Sequence, residues 1–163
     1  MKYGICTDIS NVELLEKIGY DYFETSITDL ARLSQDELIE YKKKIDKSSV
    51  KLEACNILFP WDIKLIGDEA DQEAITQHLT KAFSVAQFLG VKVIVFGSGG
   101  ARRIPDHISY DDGYEQLLCQ ARLIADLASK FDIIIALEPL NKKETNIITS
   151  VEEGAAFVKE LNH

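Results

Sequence analysis

Acidic and polar side chains stand where the predicted strands of this sequence end, and Glu138 is the most prominent of them. Glu138 follows the apolar run Ile133–Leu137, and Pro139 ends that strand because proline has no N–H to offer a sheet ladder. The other predicted strand ends carry Asp8, Glu24, Asn56 and Ser98. Carboxylates can carry protons or bind hard divalent cations. The pattern predicts such chemistry at the carboxyl edge of a parallel sheet.

Five βα units are predicted to position these residues. The strands begin near residues 3, 21, 50, 91 and 133, and each is followed by apolar residues at helical spacing. Helix starts are indicated by three capping boxes, at Ser10–Glu13, Ser34–Glu37 and Ser150–Glu153. Asp71 and Ser109 are predicted to begin two more helices, and Gly19 and Gly90 to end helices. Strict alternation of strand and helix predicts an α/β fold with a parallel sheet.

Two architectures accommodate five βα units: an open doubly wound sheet and part of a (β/α)8 barrel. A nucleotide-binding doubly wound sheet normally has a glycine fingerprint after its first strand, but the first turn here, Thr7–Asn11, has no glycine. Polar residues at several strand ends are typical of a barrel instead, and a complete barrel takes about 250 residues. This chain has 163 residues. We therefore expect a partial (β/α)8 TIM barrel, a single incomplete domain of residues 1–163 that lacks strands six to eight.

Charge and composition argue against several classes of partner. The formal net charge of −9 disfavours binding to nucleic acid or to an anionic membrane. No apolar run approaches the roughly 20 residues that cross a bilayer, and the N-terminus lacks the apolar segment of a signal peptide. The three cysteines are far apart, which predicts reduced thiols, with Cys6 and Cys55 as small core residues. A cytoplasmic location is the resulting expectation.

Three segments, in order along the chain, carry a family resemblance. They are NILFPWDIKLIG at Asn56–Gly67, VFGSGGARRIP at Val95–Pro105 and LEPLNKKETN at Leu137–Asn146. They resemble the third, fourth and fifth strand-end segments of the xylose isomerase-like TIM-barrel superfamily. The nearest branches are the sugar phosphate isomerase/epimerases and the ketose 3-epimerases. The resemblance covers the whole chain and is specific to the superfamily, not to one substrate.

The resemblance implies roles for individual residues. Glu138 matches a glutamate that binds a divalent metal, usually Mn or Mg, and helps to move a proton. Glu144 matches a glutamate that touches the hydroxyls of the substrate, and Asn141, Ser98 and Arg102 are expected to bind substrate beside it. The other metal ligands of the family come from strands six, seven and eight. We therefore expect that this chain alone binds no metal and is inactive.

The leading hypothesis is a truncated, metal-dependent sugar or sugar phosphate isomerase/epimerase that transfers a proton next to a carbonyl. The alternative is a non-catalytic half-barrel module that self-associates through its open sheet edges, because the first and fifth strands would expose unpaired backbone groups. Either hypothesis predicts a homo-oligomer. A metal-dependent DNA-repair nuclease of the same superfamily is disfavoured by the acidic charge.

Simpler roles remain open for most of these residues. Glu138 could pair with Lys142, and Glu144 could be a solvated charge. The Gly97–Arg103 segment could bind a phosphate through backbone amides and an arginine, or could be a tight turn that requires glycine. Trp61 could line a sugar pocket or pack within its loop. His78 is expected to be structural or exposed, whereas His107 lies near the presumed mouth of the barrel.

Overall fold

The computed structural model describes residues 1–163 in full, and it is built around one parallel sheet of five strands. The strands are short: β1 Gly4–Cys6, β2 Tyr22–Ser26, β3 Lys51–Asn56, β4 Val93–Phe96 and β5 Ile134–Leu137. Their order in the sheet is their order in the sequence, and every neighbouring pair is parallel. A doubly wound sheet would reverse its order at a switch point, whereas a barrel keeps it. The predicted partial barrel is confirmed.

Seven α-helices connect and follow the strands. They are α1 Val12–Ile18, α2 Ile27–Leu30, α3 Gln35–Lys47, α4 Gln72–Leu89, α5 Gly99–Arg102, α6 Tyr110–Ser129 and α7 Val151–Leu161. The four-residue helices α2 and α5 were not predicted, because a single helical turn leaves no apolar period to detect. None of the helices is both long enough and apolar enough to cross a membrane.

Most of the predicted helix boundaries are confirmed. Ser34 forms a complete capping box with Glu37, and Asp71 and Ser109 cap α4 and α6 with their side chains. Gly19 and Gly90 end α1 and α4 in the left-handed conformation. These signals are local, since each side chain bonds to a backbone group within the same helical turn.

The capping box at Ser10–Glu13 is wrong. The chain forms a short 3-10 turn, Ile9–Asn11, before α1, and Asp8 caps it by accepting a hydrogen bond of 2.8 Å from the Ser10 N–H. The box at Ser150–Glu153 is correct only in part. Ser150 caps α7, but the Glu153 carboxylate accepts from the backbone of the preceding Thr149. At the first site Asp8 takes the Ser10 N–H that the capping box would use, and at the second site the Glu153 carboxylate takes the N–H of the residue before Ser150.

The two faces of the sheet differ in how well they are covered. Side chains on the outer face are buried against the helices, as Phe23, Leu52 and Ile94 show. Their neighbours Val93 and Val95 point to the opposite, inner face, because side chains alternate along a strand, and both remain partly exposed. The inner face of the barrel is therefore the less covered one.

Candidate functional site

Polar residues from three strand ends line one open cleft of about 390 Å³ at the carboxyl edge of the sheet. Its lining residues are Asn56, Ile57, Gly97, Ser98, Gly99, Gly100, Glu138, Leu140 and Glu144. Among the predicted site residues, the fold brings Ser98, Glu138 and Glu144 together here. The cleft is therefore the candidate functional site.

The backbone of Glu138 is held in place while its carboxylate is left free. Its N–H donates to the Phe96 carbonyl oxygen over 3.1 Å, which continues the β4–β5 ladder by one residue. The carboxylate lies over Gly97, where the Cβ of any other residue would overlap with Oε2. Glu138 is exposed and takes part in none of the ion pairs, so the pairing with Lys142 does not form. An exposed carboxylate without a partner can accept a proton or bind a ligand.

Arg102 occupies a different position from the predicted one. Its side chain is fully buried, and Nη2 donates to the Glu138 carbonyl oxygen over 2.7 Å while Nη1 donates to the Phe96 carbonyl oxygen over 3.3 Å. The guanidinium also lies 5.7 Å from the centre of the Phe96 ring. The expectation that Arg102 binds substrate is therefore wrong, because its donors point into the protein. The neighbouring Arg103 is exposed and lines a separate cleft.

Burial has an electrostatic consequence for Arg102. Desolvation lowers the pKa of the guanidinium to about 10, and the negative charge of Glu138 acts in the opposite direction. Arg102 thus stays protonated at neutral pH. Its Nε is buried and has no hydrogen-bond partner, so the two Nη groups make all its hydrogen bonds.

Ser98 lies in the cleft, but its hydroxyl oxygen already accepts a backbone hydrogen bond. Its oxygen accepts a hydrogen bond of 3.0 Å from the Phe59 N–H in the loop after β3. The hydroxyl proton can still be donated to a ligand. Ser98 has a φ of 42° and Ile57, the residue after β3, has a φ of 50°. Left-handed backbone at non-glycine residues is uncommon, and it clusters at functional sites.

The loop after β5 carries Asn141 and Glu144, which are both exposed. Their side chains hydrogen-bond to each other, and Asn141 Oδ1 also accepts from the Lys143 N–H over 2.9 Å. Glu144 is therefore bound to a neighbour in its own loop, not simply solvated. Glu144 lines the cleft and Asn141 is bonded to it, so a ligand in the cleft could replace this contact.

Asn146 was missed by the sequence reasoning. Its Oδ1 accepts from the Ile104 N–H over 2.9 Å and its Nδ2 donates to the Ile104 carbonyl oxygen over 2.8 Å. This pair of bonds joins the loop after β5 to the segment after α5. The only sequence signal was an asparagine at the end of the LEPLNKKETN segment, which does not reveal a partner 42 residues away.

The first three strand ends form a second polar cluster, which shares Asn56 with the cleft. The Asn56 amide Nδ2 donates to Glu24 Oε1 over 2.8 Å and to the Cys6 sulfur over 3.0 Å. Cys6 is exposed, so its prediction as a core residue is wrong, whereas Cys55 is buried as predicted. Asp8 takes no part in the cluster because it caps the turn before α1, and hydrogen bonds from Ser10 lower the pKa of its carboxyl.

The side chains of this chain do not fit a complete metal site. No three of its histidine, cysteine, aspartate or glutamate side chains lie close enough to hold an ion together. Glu138 could supply one hard oxygen ligand, but Mg and Ca sites use several such ligands. The expectation that the chain alone binds no metal stays a prediction.

The remaining candidates lie outside the cleft. His78 is half-buried with Nε2 2.7 Å from the Leu58 carbonyl oxygen, and burial lowers the pKa of its imidazole, which confirms a structural role. His107 is exposed with Nε2 3.5 Å from Asp68 in the second cleft. Trp61 is 79% exposed, so it does not pack within its loop and lines none of the principal clefts.

The family model described as xylose isomerase-like TIM barrel matches residues 12–163 of this chain. Among curated proteins, an L-ribulose 3-epimerase of Methylomonas sp. (strain DH-1) is 30% identical over 152 residues, which cover 90% of this chain and 50% of that protein. A D-psicose 3-epimerase of Agrobacterium fabrum is 27% identical and is covered to 53%. The chain spans about half the length of the curated relatives it matches.

Solved structures show the same fold. A D-psicose 3-epimerase crystallised in the presence of D-fructose superposes with a TM-score of 0.84 and 22% identity, over 99% of this chain and 60% of that one. An IOLI protein with a bound zinc atom superposes with a TM-score of 0.72 and 21% identity, over 100% of this chain and 60% of that one.

Proposed function

This chain belongs to the xylose isomerase-like TIM-barrel family, and from that premise we propose that it forms one part of the active site of a sugar epimerase or isomerase. The observation that carries the proposal is the state of Glu138. Its backbone is fixed at the end of β5, while its carboxylate is exposed in the cleft and free of ion pairs. The epimerase activities of the relatives support the choice of reaction.

Epimerisation or isomerisation next to a carbonyl requires a base that removes a proton from carbon and an acid that returns it. A carboxylate can do either, because it is a base when ionised and an acid when protonated. We assign proton transfer to Glu138. Glu144 and Ser98 line the same cleft and Asn141 is hydrogen-bonded to Glu144, so the three offer carboxylate, hydroxyl and amide groups that can hydrogen-bond to sugar hydroxyls. Arg102 is left out of this set because it is buried.

A divalent metal, Mn or Mg, is implied by the family resemblance, and a zinc atom is bound in one structural neighbour. The side chains of this chain do not complete a site for such an ion. We propose that Glu138 contributes a single ligand and that any further ligands come from outside these 163 residues. No step of the chemistry assigned to this chain depends on the ion.

The barrel domain, like the metal site, is proposed to extend beyond these 163 residues. We propose that the five βα units are part of one barrel domain and that strands six to eight, which would close it, come from sequence outside residues 1–163. Two observations support this proposal: the relatives are about twice as long as the matched part, and the inner face of the sheet is incompletely covered.

Complementation tests the proposed function. The chain is mixed with, or fused to, the C-terminal half of the Methylomonas L-ribulose 3-epimerase, and solvent deuterium incorporation into L-ribulose or D-psicose is followed by NMR with Mn²⁺ present. We expect incorporation by the wild-type chain and a loss of at least about 100-fold in Glu138→Gln. Glu115→Gln on the exposed face of α6 is the matched control and should retain the rate. Absence of incorporation, or equal rates in both variants, would contradict the proposal.

A second candidate function is a non-catalytic module that self-associates. The observation in its favour is an apolar groove of about 270 Å³ between α6, β5 and α7, beside the unpaired edge of β5. Val158 in this groove is 49% exposed. Exposed apolar surface next to an open sheet edge favours association.

Light scattering separates the two candidates. A self-associating module should form a defined dimer that Val158→Glu dissociates. Val151→Glu lies on the same helix but outside the groove, so the dimer should persist in it. A monomer at every concentration, or equal behaviour of the two variants, would exclude assembly through this groove.

A further inference from the structure

Arg102 is the only charged side chain that is fully buried in this protein. It belongs to the short helix α5 and reaches across to the ends of two strands. Burying a cation is costly unless hydrogen bonds compensate, and both acceptors here are backbone carbonyl oxygens with no net charge. Packing an apolar side chain of the same length would avoid this cost, so filling space alone does not account for an arginine at this position.

Arg102 bonds to the backbone of Glu138 and to the backbone group that Glu138 itself binds. The Phe96 carbonyl oxygen receives both the Glu138 N–H and Arg102 Nη1. The Glu138 carbonyl oxygen receives Arg102 Nη2 over 2.7 Å. The planar guanidinium therefore bridges both sides of the last hydrogen bond between β4 and β5. Because a guanidinium presents its donors in a rigid fork, it holds the two carbonyl groups in one relative orientation.

The opposite side of Glu138 is defined by Gly97. The carboxylate occupies the space that a Cβ at position 97 would take, and Gly97 directly follows the Phe96 carbonyl that Arg102 binds. The turn after β4 thus sets the backbone of Glu138 through Arg102 and leaves room for its side chain through Gly97. The ladder ends here because β4 stops at Phe96 and the chain turns away at Ser98, so the Glu138 carbonyl has no partner on β4 and accepts from Arg102 instead.

We propose that Arg102 is a positioning residue that fixes the end of β5 and thereby the place of the Glu138 carboxylate in the cleft. This proposal deepens the proposed function and rests on it, because the position of Glu138 matters only if its carboxylate acts on a ligand. Arg102 touches no ligand in this assignment. It acts through the Glu138 and Phe96 carbonyl groups.

Amide hydrogen exchange on the complete chain tests the proposal. The variants are Arg102→Met, which keeps the length of the side chain and removes every donor, and Arg102→Lys, which keeps a cation and one donor group. The Glu138 amide is compared with those of Val91 and Ile133, which donate to the Ala86 and Ala128 carbonyl oxygens near the starts of β4 and β5. In Arg102→Met we expect exchange at Glu138 to become at least tenfold faster relative to these two. Arg102→Lys should recover part of the protection.

General loss of stability would accelerate all three amides together, so equal acceleration would overturn the proposal and leave Arg102 as a packing residue. A second readout is the ¹³C shift of the Glu138 side-chain carboxyl. It should move in Arg102→Met and return towards the wild-type value in Arg102→Lys. No movement would also contradict a positioning role.

The wild-type protein provides a test that does not require a folded variant. Two fixed hydrogen bonds should hold the guanidinium against rotation, so its Nη groups should give separate ¹⁵N resonances, one with a trans-hydrogen-bond coupling to the Glu138 carbonyl carbon. A single averaged Nη resonance would overturn the proposal. None of these readouts uses sugar or metal, whereas deuterium incorporation in the complemented enzyme does. Failure of the positioning role and failure of the proposed function are therefore observed separately.

Discussion

At the carboxyl edge of the sheet, the ends of β4 and β5 and the ends of β1 to β3 are organised in opposite ways. Around the ends of β4 and β5, side chains bond to the backbone. Arg102 donates to the Phe96 and Glu138 carbonyl oxygens, and Asn146 bonds to the N–H and carbonyl of Ile104. The carboxylate at this end, Glu138, has no ion-pair partner. At β1 to β3 the contacts run between side chains, because Asn56 donates to Glu24 and Cys6, and the carboxylate is occupied.

The difference indicates which carboxylate is available for chemistry. A group that binds a ligand or exchanges a proton needs a fixed backbone and free oxygens, since preorganisation lowers the cost of reaching the reactive geometry. Glu138 meets both requirements. Glu24 has committed one oxygen to Asn56, so a ligand would first have to break that hydrogen bond. In the proposed function, the β4–β5 end therefore supplies the carboxylate that acts on the ligand.

The largest expected effect concerns the backbone bonds at the β4–β5 end. Asn146→Ala removes two hydrogen bonds and leaves the partly buried N–H and carbonyl of Ile104 without partners, so we expect the free energy of unfolding to fall by about 2–3 kcal/mol. Urea denaturation measures it. Asn141→Ala, in the same loop, is the control; its hydrogen bonds are exposed whereas those of Asn146 are partly buried, so it should cost less than about 1 kcal/mol. Equal losses would mean that the loop is not held through Asn146.

The matching change at the β1–β3 end should cost less. Asn56→Ala removes bonds to the Glu24 carboxylate and the Cys6 sulfur, and both of these partners can reach solvent. We expect a loss of about 1 kcal/mol in the same urea experiment. Its Oδ1 is buried without a partner, and removing that atom offsets part of the loss. A loss as large as that of Asn146→Ala would erase the contrast between the two ends.

The third prediction concerns His78, whose side chain contacts the backbone of the loop after β3. Its Nε2 contacts the Leu58 carbonyl oxygen, and burial lowers the pKa of the imidazole below its usual 6.5. The unfolded chain therefore binds a proton first as the pH falls, so this contribution to stability is complete above the unfolded pKa and is lost as the pH falls from there through the lower folded pKa. Urea unfolding at pH 7.5 and pH 5 should show this loss in the wild type and a smaller loss in His78→Gln. Identical pH dependence in both proteins would remove His78 as the cause.

The smallest effect on stability is expected at Gly97. Its φ lies outside the left-handed region, so Gly97→Ala should change the free energy of unfolding by only about 0.5 kcal/mol or less. The added Cβ should nevertheless displace the Glu138 carboxylate, because the two would overlap. The ¹³C shift of the Glu138 carboxyl should change, while that of Glu115 should not. An unchanged Glu138 shift would mean that the carboxylate does not lie over Gly97.

The parts of the fold that followed from the sequence are those governed by neighbours in the chain. Strand and helix alternation, the caps at Ser34, Asp71 and Ser109, and the glycine ends of α1 and α4 were all predicted correctly. The capping box at Ser10 failed because Asp8, two residues earlier, bound the same backbone donors. Even this error was a local competition between side chains.

In the candidate site, too, features set by neighbours in the chain were predictable and features set by distant residues were not. The sequence by itself determined the barrel class and the location of Glu138 at a strand end, because hydrophobic period and a strand-ending proline are local properties. Only the tertiary structure decided that Arg102 faces inward and that Asn146 joins two loops, since their partners lie 36 and 42 residues away in the sequence. An arginine beside glycines is compatible with a phosphate site or with a buried bridge. The choice depends on which backbone acceptors the fold brings within its reach.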